Sequence, residues 1–532
     1  MSLPADAATA QLRRNVYWIL IVASAGMMIG RILAVDSVDM LGVENQRMKQ
    51  DLAATRKTLE KQGLSKEAIE ERLSLRKQEW RDENRIRRPF LSANDRSRWC
   101  TVRALVEPGI RVEGAPYAID NVITPLWDTI DMVKHDGHLY SSKPPLLATL
   151  LAEPYWVIYH VTGATLETHP YAIGRFMLIL VNVLPMVVYL WLLSRLVERF
   201  GTSDWGRVFV MAAAAFGTFL TTFAVAINNH LPAAVTGMVA LYAAIRIWFD
   251  AERRWQYFAV AGLFAALTAA DELPALSLFA ALTAAILWKA PWKTLAVYVP
   301  AAAVVAAAFF TTNWFAHGSL RPPYAHRSAT NWIAHGSLRP PYAYRHVDPA
   351  DNWYEFSYTR PGEKREILSY WHPRNLENMS AIDRGEPSRG VYAIHVLVGH
   401  HGIFSLTPVW VLSLIGLAQW LVRPGDRRLR ELAALIGAVS LACLVFYVGM
   451  VGPRDRNYGG MTSGFRWVFW LAPLWLVAML PAVDVLAKHC WTRCLALLLL
   501  AVSALSASYP TWNPWTQPWL YDLLNWLGWI SA

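Results

Sequence analysis

Apolar residues run unbroken for long stretches of this chain, and polar residues are largely confined to the gaps between them. Runs of about 17 to 25 residues are long enough to cross a bilayer as helices. Eleven can be placed, near 16–35, 171–193, 206–227, 231–249, 255–270, 273–289, 294–312, 403–422, 431–451, 467–486 and 494–509. A further stretch, Pro144 to Val161, is apolar but carries Glu153 and Pro154 in its middle. A carboxylate and a helix breaker at membrane depth need protein or water beside them. The pattern therefore favours a re-entrant or interfacial helix there over an ordinary span. The expected fold class is an all-α polytopic membrane protein with about eleven transmembrane helices, one such non-crossing helix, and helical loops on the outer face.

The placement of Lys and Arg sharpens this reading. Six basic clusters, around Arg13/Arg14, Arg195/Arg199/Arg207, Arg246/Arg253/Arg254, Lys289/Lys293, Arg423/Arg427/Arg428/Arg430 and Lys488/Arg493, flank the apolar runs. Positive residues collect on the cytoplasmic side, and all six do so only if 144–161 does not cross. The first run follows Arg13 and Arg14 without a small-residue cleavage site and is expected to be retained as a helix. The chain then divides into the N-terminus with the first span (1–35), a first outer loop (36–143), membrane helices (144–312), a second outer loop (313–402), further membrane helices (403–509) with an outer loop at 452–466, and a Trp-rich outer tail (510–532).

Composition changes the picture little. The 532 residues are 55% hydrophobic and 17% charged, with 26 Trp and a formal net charge of +10. In a soluble chain that charge would suggest nucleic acid, but the cations sit in short loops, as the positive-inside effect requires, and no nucleic-acid-binding module is present. The four cysteines, Cys100, Cys443, Cys490 and Cys494, have neither disulfide-framework nor zinc-like spacing and read as structural.

Two inserts interrupt the apolar pattern. From about Asn45 to Arg98 the chain is rich in Ala, Leu, Glu, Lys, Gln and Arg, broken at Gly63 and restarted at Ser65, which reads as a solvated helical hairpin. In the second outer loop TNWFAHGSLRPPYAHR (Thr312 to Arg327) recurs as TNWIAHGSLRPPYAYR (Thr330 to Arg345), differing only at Phe315/Ile333 and His326/Tyr344. Two copies are too few for a solenoid; a local duplication is expected, serving either substrate or loop structure.

Polar residues that are odd beside membrane spans fall on one side: EGAPYAID (Glu113 to Asp120), WDTIDMVKHDGHLYSSKPPL (Trp127 to Leu146), Asn229 and His230, Asp271 and Glu272, and PRDRNYGGMTSGFRW (Pro453 to Trp467). Ionisable groups there are costly and usually functional. The order of features, with a short N-terminus, one span, a long acid-bearing loop and then Tyr-x-x-Lys-Pro-Pro at Tyr140 to Pro145, resembles the polytopic glycosyltransferases of the GT-C superfamily. The resemblance is to the group holding protein O-mannosyltransferases and aminoarabinose transferases (family 39-like), covers about residues 10 to 250, and is sharpest from Glu113 to Leu146.

The resemblance implies transfer of a sugar from a polyprenyl-phosphate-linked donor to a lipid, glycan or protein acceptor, with inversion, at the extracytoplasmic face of the cytoplasmic (inner) membrane. An acid of the first outer loop would act on the acceptor, Glu113 by its place before Tyr117-Ala118 or Asp120 by its place before Asn121. Such a base is typically worth about 10² to 10⁴ in rate. Charge growing on the leaving phosphate calls for fixed cations: Lys143, and the outer cluster Arg454, Arg456 and Arg466, whose guanidinium forks match phosphate oxygens. His138, Tyr140, Asp131, Asn229, His230, Asp271 and Glu272 are the candidate substrate contacts, helix capping being the commoner use of such residues. No cofactor is implied. A divalent cation at His230, Asp271 and Glu272 is an alternative to sugar hydroxyls, although the ligands are too scattered for a metal pattern. Competing classes are a transporter or flippase of an amphiphile, which calls for paired broken helices in two related halves, and a non-catalytic scaffold.

Overall fold

The computed structural model describes residues 5–35, 41–83, 90–320, 353–372, 385–422, 426–449 and 456–530. It is a helical protein. Among the described residues, seven helices are long and apolar enough to cross a membrane: Ala8–Ala34 (within α1, Ala5–Ala34), Pro170–Phe200, His230–Phe249, Pro291–His317, Arg427–Gly449, Arg466–Leu486 and Cys490–Ser508. Helices Leu273–Lys289 and Trp410–Val422 are apolar but shorter, and Trp255–Asp271 has 17 residues.

Two of the eleven expected spans are not single helices. The 206–227 run forms a helix only over Asp204–Phe216. Gly217 ends it where a Cβ would lie 2.8 Å from Leu500 and 3.1 Å from the Ala213 carbonyl, and the chain continues irregularly to His230. The 403–422 run is split into Ile403–Leu406 and Trp410–Val422 around Pro408, which lacks the N–H a helix needs. Irregular backbone among apolar helices must be satisfied by protein, and the sequence supplies the means. Asn182, inside a widened turn of Pro170–Phe200, donates to the carbonyls of Ala224 (2.8 Å) and Ala226 (3.1 Å). Asn228 donates to Phe223 and Ala226 (both 3.1 Å) and accepts from the Leu231 N–H, capping the next helix.

The basic clusters meet at one end of the bundle. Arg13 bridges Glu198 and Asp204 (2.6 Å each), Asp250 pairs with Arg199 and with Arg246 (3.0 Å), and Arg428 donates to the Phe249 carbonyl (3.0 Å). Lys293 donates to the Arg253 carbonyl, Lys289 lies 3.8 Å from Glu431, and Arg493 covers Trp205. At the opposite end Arg175 donates to the Val35 carbonyl at 2.8 Å. The chain between them, including α5 (Pro145–Thr162), therefore starts and finishes at the same end.

That intervening chain holds α2 (Leu41–Lys61) and α3 (Lys66–Glu83), a hairpin tied by Arg76 to Asp51 (3.1 Å) over a small core of Leu59, Ile69 and Leu73. Next come α4 (Ala93–Val106), capped by Ser92, and an antiparallel pair, β1 (Met132–His135) and β2 (His138–Ser141). The all-α expectation is corrected on this point. Residues 357–358 and 367–368 form a second short pair. Of the duplication only Thr312 to Leu320 is described; the rest lies outside the described residues.

Candidate functional site

Asp136-Gly137 joins β1 to β2 with both residues at positive φ (51° and 82°), the two-residue turn that matches strand twist and favours Asp-Gly. His135 pairs with His138 and Met132 with Ser141. At the tip, His135 stacks between Tyr140 (ring centroids 4.2 Å) and Trp353 (4.0 Å), its Nε2 3.0 Å from Nδ1 of His317. At the open end the strands bring Asp131 and Lys143 face to face. Ser142 N–H donates to the Asp131 carbonyl (3.0 Å), and Lys143 Nζ reaches Asp131 Oδ1 at 2.8 Å. Ser97 of α4 donates to the same carbonyl (2.7 Å) and lies 2.5 Å from Ser141 Oγ, locking hairpin to helix.

The next residue on that helix, Arg98, projects into the protein and donates from Nη2 to Asn229 Oδ1 at 3.0 Å. Asn229 donates to the Asp271 carbonyl (3.1 Å) and to Glu272 Oε1 (2.8 Å). Glu272 also holds the ring of His230 and accepts from Tyr447 Oη at 3.1 Å. Arg466 starts the helix beyond, donating to the Gly459 carbonyl (2.6 Å) with its guanidinium over Trp515. The irregular 217–229 segment thus ends with Asn229 on Arg98 of α4 and His230 on Glu272.

Charge in this cluster is densely coupled. Burial alone would raise the Asp131 carboxyl, but Lys143, Arg466 and Arg98 hold it below the usual carboxylate range. Burial pulls Lys143 down against the pull of Asp131, and pulls Arg98 down against Asp131, Asp95, Asp271 and Glu272. Hydrogen bonding is less complete than the crowding suggests. Among the described residues, Arg98 Nε, Arg466 Nε and Nη1, and Asp95 Oδ2 are buried without a hydrogen-bond partner. Asp95 Oδ1 accepts from the Ile227 N–H at 2.9 Å, and burial pushes its carboxyl up to about 7. Unpaired buried donors are rare and call for an explanation; three on two neighbouring guanidiniums suit an anion.

Of the residues singled out from sequence, Lys143, Arg466, Asp131, Asn229, His230, Asp271 and Glu272 gather here. Glu113 stands exposed in the Val112–Ala115 turn. Asp120 accepts from the Leu139 N–H (3.2 Å) and faces His138 (3.4 Å), while Tyr140 is buried against His135, so these belong to the hairpin's other face. Arg456 is occupied by the carbonyls of Glu386 and Pro387 (both 3.3 Å). Arg454 lies outside the described residues. The divalent-ion alternative at His230, Asp271 and Glu272 does not fit, because the Glu272 oxygens already serve His230, Asn229 and Tyr447.

Sequence reading missed Asp95, Arg98 and Tyr447. In SANDRSRW the cap residue Ser92 is a signal for a helix start, which puts Asp95 and Arg98 one turn apart on a shared face.

No protein-family model matches this chain, and no curated protein matches it in sequence. A solved apo structure of an oligosaccharyltransferase from Archaeoglobus fulgidus is similar at 14% identity with a TM-score of 0.40, over 96% of this chain and 58% of that one. The chain thus spans less than two thirds of that protein's length, and a likeness at this level assigns no activity.

Proposed function

We propose that this protein is a membrane glycosyltransferase that moves a sugar from a polyprenyl-phosphate-linked donor to an acceptor hydroxyl, with inversion, at the extracytoplasmic face of the membrane. The observation that carries the reading is the set of unpartnered donors on Arg98 and Arg466 beside Lys143. A phosphate seated among them supplies the acceptor oxygens they lack. Such fixed cations act most strongly where water is excluded and charge grows on the leaving group.

In this mechanism Lys143, Arg98 and Arg466 hold the donor phosphate. The anomeric carbon breaks from the phosphate oxygen as the acceptor oxygen bonds to it on the opposite face. The acceptor proton passes to a carboxylate, and the lipid phosphate departs with the bonding electron pair. We assign the base to Asp95: burial pushes its carboxyl up to about 7, against the pull of the Ile227 N–H and of Arg96 and Arg98, which suits proton uptake at neutral pH. This replaces Glu113 and Asp120, one exposed and the other turned to the hairpin backbone. Asp131 is a poor base because Lys143 keeps it ionised and engaged; it orients Lys143. Asn229, His230, Asp271 and Glu272 line the sugar side.

The test is sugar release from radiolabelled polyprenyl-phosphate sugars by purified full-length protein in detergent. Transfer that is lost in Lys143→Met, Arg98→Met and Arg466→Met supports the reading. Normal turnover in all three refutes it. The broken segments 217–229 and 407–409 favour a second reading, an amphiphile transporter or flippase. Movement of the lipid across proteoliposomes without sugar release would select it.

A further inference from the structure

Away from the site just described, the described residues contain one group of three side chains with the donors and spacing of a metal site: Glu386, His395 and His400, whose ligand atoms all lie within 4.8 Å of one another. We propose that Glu386, His395 and His400 bind one zinc ion, which closes the 386–400 stretch on itself and fixes Glu386 against the 456–460 loop that positions Arg466.

The three residues lie within one stretch of fifteen residues that folds back on itself. Glu386 precedes the helix Arg389–Leu397, His395 is in its last turn, and His400 lies in the turn that follows. Gly399 makes this possible, since a Cβ there would lie 2.6 Å from His395 Nδ1. That nitrogen is buried without a hydrogen-bond partner among the described residues. The His395 and His400 rings stack with centroids 4.0 Å apart. Nδ1 of His400 is 2.5 Å from Nδ1 of His401, a contact that needs one proton between them. When His400 donates it, the lone pair is on its Nε2, and His401 takes the outer position that orients metal-binding imidazoles. On the other side Tyr458 Oη donates to Glu386, and the Glu386 N–H donates to the Arg456 carbonyl at 3.0 Å. Tyr458 leads directly to Gly459, whose carbonyl holds Arg466.

Two imidazoles and one carboxylate are a donor set for zinc rather than for magnesium or calcium, which take oxygen. Zinc bonds of about 2.0 to 2.2 Å bring tetrahedral ligands to roughly 3.3 Å from one another. Side-chain rotation of His395 and Glu386, both only half-buried, closes the remaining distance. The fourth position is left to water.

The proposal does not depend on the transfer reading, and its test uses the full-length protein without an affinity tag in detergent. Cys490 and Cys494 are exposed and are changed to Ser so that thiolates do not bind the probe. After chelator treatment and dialysis against zinc salts, metal analysis is expected to find one zinc per chain. Cobalt in its place is expected to give the visible absorption of a four-coordinate ion, without thiolate charge transfer. His395→Asn and His400→Asn should each weaken zinc binding roughly tenfold or more, as should His401→Ala through orientation alone. Added zinc should raise the thermal midpoint of the parent and not of His400→Asn. Less than about a tenth of an equivalent of zinc in the parent protein, with no cobalt spectrum, overturns the proposal without requiring any variant to fold. Equal zinc binding by parent and folded His395→Asn and His400→Asn overturns it as well.

Discussion

Replacing Lys143 by Met keeps most of the aliphatic stem and deletes the charge. Asp131 then loses the ammonium 2.8 Å from its Oδ1 while remaining largely enclosed. Removing one partner of a fully buried pair costs about 3 to 5 kcal/mol, and of an exposed pair about 0 to 1 kcal/mol. Side-chain exposures of 22% and 20% put this pair between those limits, and Arg98 and Arg466 still offset the charge. We expect about 2 kcal/mol of lost stability by that interpolation. Loss of a preorganised donor at the developing charge should also lower the rate by about 10² to 10³.

The double variant Lys143→Met/Asp131→Asn separates the two roles. Neutralising Asp131 removes the stranded charge, so unfolding in detergent should return to within about 1 kcal/mol of the parent. Sugar release from the polyprenyl-phosphate donor should stay about 10² to 10³ down. If the double variant turned over within about threefold of the parent, a coupling of the full size, Lys143 would be serving only to balance Asp131, and the phosphate assignment would fail.

Other consequences are as direct. Asp95 has its carboxyl raised to about 7, against about 3.9 unfolded, so the folded chain keeps a proton that the unfolded chain has lost. Stability from this group is full below about pH 4 and falls by roughly 1.4 kcal/mol per unit as pH rises to 7. Asp95→Asn, which still accepts from Ile227, should flatten that slope in pH-dependent unfolding, be the more stable protein at pH 8, and abolish transfer; unchanged transfer would remove Asp95 as base. Glu113→Gln and Asp120→Asn should change kcat by less than about threefold, well short of the 10² or more that a lost base costs. Gly416→Ala and Gly262→Ala place a Cβ 1.9 Å from the Ala478 carbonyl and 2.2 Å from the Tyr298 carbonyl. Each should destabilise by about 1 to 3 kcal/mol or more in thermal unfolding, because close helix contacts have no room to relax.

Much of this molecule is determined locally and is legible residue by residue. Apolar run length marks the membrane helices, because an unpaired backbone in lipid is too costly for any other solution. The alternation of Lys and Arg clusters predicts their shared end, and Arg13, Asp250 and Arg428 do meet there through their partners. Asp136-Gly137 between alternating residues is a readable hairpin signal, masked by the apolar run that follows it. The breaks at Gly217 and Pro408 are hidden by hydropathy, which does not register where a helix must stop.

Only the tertiary structure decided which acids and cations share a site. Glu113, Asp120 and Asp131 look alike along the chain, yet pairing of Met132 with Ser141 turns Asp131 to Lys143, while Asp120 is held at the Leu139 N–H. Asp95 and Arg98 meet residues 227 and 229, far along the chain, through a loop whose carbonyls are satisfied by Asn182. Sequence sets the chemistry that each side chain can perform. Long-range packing sets its solvent exposure and its charged neighbours, and those two quantities determine whether a carboxylate is a base, a counter-ion or a surface group.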